Sequence, residues 1–140
     1  MMIPHHEQAI EMSDLALKNS ENTRIQTLAR RIKSTQTGEI ATLREWIAAS
    51  GMGDMHGADT HGGMSGMLSN SEMAALAAAK GTAFDKLFLT SMIKHHEGAI
   101  DMAGAVTESE NREVSDFANW MVSTQYNEIT EMGVLFGQIP

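Results

Sequence analysis

Ile25, Leu28, Ile32, Leu43 and Trp46 follow one another at spacings of three and four or their sums, with Gln36 and Glu39 filling the same row. Val114, Phe117, Met121, Met132 and Leu135 repeat the pattern, with Gln125 and Glu128 in the corresponding gaps. That period is helical and predicts two long amphipathic helices. No proline interrupts them: Pro4 sits in a first turn, where its missing N–H costs nothing, and Pro140 at the terminus. Gly51 is expected to end the first of these helices. A short Ala-rich helix is expected from about Ser71 to Ala79, with Ser71 as its N-cap. Thr82, with Asp85 three residues on, is expected to cap another long helix. Valine is scarce and no alternating run is bracketed by hairpin turns, so no strand is predicted.

The chain repeats itself. Met2-Ile3-Pro4-His5-His6-Glu7-Gln8-Ala9-Ile10-Glu11-Met12 returns as Met92-Ile93-Lys94-His95-His96-Glu97-Gly98-Ala99-Ile100-Asp101-Met102, an offset of 92 − 2 = 90. Ser20-Glu21-Asn22 then matches Ser109-Glu110-Asn111. Ser34-Thr35-Gln36 with Glu39-Ile40 likewise matches Ser123-Thr124-Gln125 with Glu128-Ile129, now at 109 − 20 = 89. Two blocks in one order at nearly one offset mark a duplicated two-helix unit. The expected fold is all-α: a ferritin-like four-helix bundle over residues 1–140 as a single domain. Repeat 1 covers about 1–50, a Met/His/Gly-rich crossover linker 51–70, and repeat 2 about 71–140.

Composition narrows the function. Eighteen acidic against ten basic side chains give a net charge of −8, which repels nucleic acid and anionic membranes and attracts cations. No run approaches the roughly 18 apolar residues of a membrane span. Twelve methionines and no cysteine exclude disulfides, thiolate catalysis and Cys-based metal sites, so a bound metal must use Met, His or carboxylate.

On a helix, Met2 shares a face with His5 and His6, and Met12 lies two turns from His5; Met92, His95, His96 and Met102 repeat the arrangement. Neutral thioether and imidazole donors suit Cu(I), or Ag(I), better than Mg²⁺, Ca²⁺ or Mn²⁺. Thioethers lose no proton on binding, so such sites work in mildly acidic surroundings. A Met/His set without Cys also points to export, because thiols oxidise outside the cytosol. Met121 and Met132 read equally well as core filler. Glu7 and Glu97 read as solvated partners or as supports behind the ligands rather than as ligands themselves. Gln36, Glu39, Gln125 and Glu128, polar groups on an apolar row, are expected either to hydrogen-bond a facing imidazole or to sit at a wet end of the bundle.

Residues 51–67 hold six glycines together with Met52, Met55, His56, His61, Met64 and Met67. Either these are flexible weak copper sites or the segment is a tether with incidental methionines; the density of soft donors favours the first. Enzyme motifs fail. No Glu-x-x-His of di-iron bundles occurs, and Ile10 and Ile100 stand where a His-Glu-x-x-His zinc motif needs its second histidine. The reading is a Cu(I)-binding chaperone or buffer, with a copper-transport protein as a further partner. The alternatives are a ferritin-like redox enzyme that oxidises Cu(I) or reduces a small oxidant at a His-rich centre, and a purely structural or partner-binding bundle with no metal.

The doubled Met-Ile-x-His-His-x-x-Ala-Ile-x-Met and Gln-x-x-Glu-Ile blocks resemble bacterial domain-of-unknown-function family 305, a ferritin-like group. Phe84-Asp85-Lys86-Leu87-Phe88-Leu89 matches the stretch that precedes the family's Met-x-x-His-His element. The first copy starts at Met1 without that stretch, which the resemblance implies lies upstream with any signal peptide. Membership implies a four-helix bundle, export to the periplasm or cell exterior, and copper binding linked to metal tolerance. The residues matching the family's metal motif are Met2, His5, His6, Met12, Met92, His95, His96 and Met102. Leu43 departs from the family pattern, standing where the second copy has Met132, so two identical sites are not expected.

Overall fold

In a computed structural model the described residues are 2–50 and 65–140, Ser50 in its backbone only. Five helices follow in order: α1 (Met2–Asn19), α2 (Thr23–Ser50), α3 (Asn70–Ala78), α4 (Gly81–Gly104) and α5 (Arg112–Gln138), with no strand among the described residues. The repeated Ser-Glu-Asn block is a helix start. Asn22 Oδ1 accepts from Arg24 N at 2.9 Å, and Asn111 Oδ1 from Val114 N at 3.3 Å. The preceding Ser20 and Ser109 hydroxyls each accept from the Asn backbone, at 3.1 and 3.2 Å. These bonds satisfy N–H groups that a helix leaves orphaned at its first turn.

Two expected caps are corrected. The short helix is capped by Ser69, not Ser71, through a capping box in which Ser69 and Glu72 exchange side-chain and backbone bonds. Thr82 does not cap α4, whose N-cap Lys80 makes no side-chain cap bond. Asp85 is buried instead and accepts a 2.5 Å hydrogen bond from the Ser20 hydroxyl, tying α4 to the α1–α2 turn. Gly51 lies outside the described residues.

α1 packs on α2 and α4 on α5, and the two hairpins meet along α1 and α4. These central helices run antiparallel: Ser20 meets Asp85, His5 stacks on His95, and Met2 shares a cavity with Met102. The main core gathers Ile25, Leu28, Ile32, Phe84, Phe88 and Leu89 at one end, where Leu76 of α3 closes it. A smaller apolar cluster around Ala103, Ala118 and Met121 lies at the other end.

Candidate metal centre

Between the two apolar ends lies a polar layer. His5, His6, His95 and His96 are at most 1% exposed, and Gln36, Glu39, Gln125 and Glu128 are also buried. The helical period of the sequence dictates this: each His-His pair sits one or two turns from the ends of its helix, opposite the polar gap in the apolar row of α2 or α5. His6 Nε2 lies 2.5 Å from Glu39 Oε1, and His96 Nε2 lies 2.6 Å from Glu128 Oε1. The glutamates therefore hold the imidazoles of the facing helix, and the wet-end alternative is removed. Gln36 and Gln125 are buried in the same row, but their Oε1 atoms have no hydrogen-bond partner.

The histidines divide into an inner and an outer pair. His5 and His95 stack with ring centroids 3.7 Å apart. Burial, reinforced by the neighbouring imidazoles, pushes His5 down from 6.5 to about 4 and His95 to about 2. Both rings are therefore neutral at ordinary pH. His5 Nε2–H donates to the Ser65 carbonyl at 2.9 Å, so its Nδ1 carries a bare lone pair with no partner. Among the described residues neither nitrogen of His95 makes a hydrogen bond of good geometry, a weak approach to the His5 backbone aside, and Nδ1 of His96 has no partner. His6 differs: Nδ1 donates to the Met2 carbonyl at 3.1 Å and Nε2 is engaged by Glu39, so both of its nitrogens have partners.

The thioethers do not line up one helix at a time. Antiparallel packing sends Met12 and Met92 into the main core, fully buried beside Met132, while Met2 and Met102 are half-buried at the opposite end with Met121. The imidazole layer lies between two methionine clusters, each built from both halves. Among the described residues no three His, Asp or Glu side chains are placed to hold one ion together. A cation held by these imidazoles would need further donors, and the thioethers on either side of the layer are soft ones. Unpaired imidazole nitrogens are costly in a dry interior, and lone-pair donation to an ion would relieve that cost. Glu7 and Glu97 are exposed as expected, Glu7 pairing with Arg44 at 3.1 Å. Of the linker donors, Met67 is half-buried, and Met52, Met55, His56, His61 and Met64 lie outside the described residues.

Sequence reasoning missed the strap that covers the inner pair. Residues 65–68 cross α4, where a Cβ on Gly98 would lie 1.8 Å from the Ser65 carbonyl oxygen, and Gly66 adopts φ +77° against Lys94 and His95. Only glycine fits either place. On the other flank the Gln8 amide clasps Leu68, donating to its carbonyl at 3.0 Å and accepting from its N–H at 2.8 Å. Positions 8 and 98 are repeat equivalents, and the Gln-to-Gly change between them was the available signal.

The profile of the domain of unknown function DUF305 matches residues 1–136. The chain belongs to the DUF305 family. A DUF305 protein from Streptomyces coelicolor has a similar structure, with a TM-score of 0.88 at 27% identity, covering 98% of this chain and 88% of that one. CopM in its Cu(I)-bound form matches at TM-score 0.82 and 29% identity, covering 99% of this chain and 91% of CopM. Its Cu(II)-bound form matches at TM-score 0.80 and 32% identity, with 99% and 92% covered. CopM has also been captured with Ag bound. No curated protein matches the chain. Among the described residues of this DUF305 protein, no helix is long and apolar enough to cross a membrane.

Proposed function

We propose that this protein binds copper as Cu(I), and also Ag(I), as an exported chaperone or buffer that limits free metal. The observation that carries the reading is the neutral imidazole pair His5 and His95, with three ring nitrogens that make no hydrogen bond of good geometry, buried between two methionine clusters. The copper- and silver-bound forms of CopM support it. His5, His95 and His96 supply nitrogen and Met12 and Met92 sulfur on one side of the imidazole layer, while Met2 and Met102 add thioethers on the other. His6 is held in reserve by Met2 and Glu39. Met52, Met55, His56, His61, Met64 and Met67 add weaker capacity. The absence of cysteine suits an oxidising compartment outside the cytosol.

Anaerobic Cu(I) titration against a competing chelator tests this on the wild type and on the variant with His5, His6, His95 and His96 changed to Ala. Circular dichroism checks that the variant remains helical. Stoichiometric binding in the wild type that weakens at least tenfold in a folded variant supports the reading, and binding unchanged by the substitutions sinks it. A protein that turns over many equivalents of Cu(I) in the presence of oxidant would be a redox enzyme instead.

A further inference from the structure

The repeat offsets pair Met2 with Met92 and Met12 with Met102 at 90, and Ile32 with Met121 and Leu43 with Met132 at 89. Because α1 and α4 are antiparallel, each end of the bundle collects members of both copies. One end holds Met12, Met92, Met132 and Ile32. The other holds Met2, Met102, Met121 and Leu43 around one cavity of about 220 Å³. Of these eight repeat-related positions, each end thus has three thioethers and one aliphatic side chain, with the third sulfur supplied from a different position of α5.

The two triads are not equivalent in use. At the first end all three methionines are 0% exposed and packed in the main core with Phe84 and Phe88. At the second end Met2 and Met102 are half-buried, and the three side chains border a space that Trp46 and Phe117 also line. Trp46 meets Phe117 edge-on at 5.0 Å between ring centroids. Among the described residues that line it, none carries a carboxylate, hydroxyl or imidazole.

We propose that Met2, Met102 and Met121 form a separate, sulfur-only site for a soft monovalent cation, Cu(I) or Ag(I), with the Trp46 indole beside it. Three neutral thioethers match the low charge and soft character of such ions, and a divalent oxygen-seeking ion finds no carboxylate or hydroxyl among the described lining side chains to replace its hydration shell. The indole face attracts a cation held next to it. Met121 is the member that neither the doubled histidine motif nor the helix-by-helix grouping assigns. The site rests on the copper-binding reading and deepens it by placing one ion outside the imidazole layer.

The test uses Trp120→Phe as background, so that Trp46 is the sole indole, and titrates Ag(I) while following Trp46 emission. Chelator competition on the same samples counts total Ag(I) bound. The expected result is a saturable change in emission, weakened at least tenfold by Met102→Leu with Met121→Leu and retained in Met12→Leu with Met92→Leu. Leucine roughly conserves side-chain volume, and circular dichroism confirms the fold. An emission change that survives the first pair of substitutions, or is lost with the second pair instead, overturns the site. If total Ag(I) binding remains intact in that case, the copper-binding reading stands alone. If the wild type binds no Ag(I), both fail.

Discussion

The two halves of the chain share a motif but not a neighbourhood. Both place a His-His pair in the central layer and both answer the second histidine with a glutamate from the partner helix of the same hairpin. Around that common frame the residues diverge. Glu128 has Arg31 of α2 at 3.8 Å, whereas Glu39 shares a shallow groove with Trp120, the repeat equivalent of Arg31 (120 − 89 = 31). Gln8 holds the strap by side-chain bonds, and Gly98 holds it by having no side chain. The shared positions build one buried imidazole layer that needs both copies. The divergent ones decide which nitrogens are covered, which carboxylate has a cation beside it, and which end is filled.

Making the halves alike at the strap should have the largest effect. Gly98→Gln puts a Cβ where the Ser65 carbonyl now lies, so the strap must leave α4; overpacking of this kind costs about 1–3 kcal/mol, and backbone crowding places it at the upper end. Gln8→Gly removes two hydrogen bonds and adds a mid-helix glycine, together about 2 kcal/mol. Urea unfolding at neutral pH measures both, and the seated strap would be disproved by a Gly98→Gln midpoint equal to that of the wild type.

Acid should separate His5 from His95. Each titrates near 6.5 when unfolded but only near 4 and near 2 when folded, so the unfolded chain takes up protons first as pH falls. Their contribution to stability is complete above about pH 6.5 and is lost on acidification, for His5 down to about pH 4 and for His95 to still lower pH. Stability measured between pH 7 and 4 should fall less steeply in His5→Phe or His95→Phe than in the wild type. Below pH 4 only His95→Phe should differ. Parallel curves for all three proteins would show that these rings do not drive the acid response.

The smallest effect belongs to the carboxylates. Arg31 is about half exposed, so Arg31→Ala should cost no more than about 1 kcal/mol, screened by salt. Trp120→Ala should show no such salt dependence, because among the described residues Glu39 has an indole rather than a lysine or arginine nearby. Unfolding in 0.05 and 0.5 M salt compares them, and identical salt responses would erase the distinction between the two carboxylates.

Much of this was written in the local pattern. Ile25, Leu28 and Ile32 announce a helix and its buried face, and the doubled His-His motif announces a duplicated site. The polar gaps Glu39 and Glu128 are legible because an ionisable group on an apolar row needs a partner. What local spacing could not convey was direction. Reading one helix at a time places Met2 with Met12, whereas antiparallel docking of α1 on α4 places Met2 with Met102. The caps at Ser69 and Asn22 were hidden for another reason: several adjacent residues could accept a first-turn N–H, and tertiary position chose between them. Asp85 was recruited by Ser20, which lies far away in the chain, so its spacing from Thr82 carried no information about its use.

The hairpin arrangement also bears on how the molecule assembles. α1 with α2, and α4 with α5, are pairs of sequence neighbours that can form on the fast timescale of local helix association, while the α1–α4 seam joins segments some ninety residues apart. The imidazoles of each hairpin should therefore stay hydrated until the hairpins dock, and the rate-limiting barrier should include stripping water from that seam. A soft ion present during folding could then be enclosed as the seam closes.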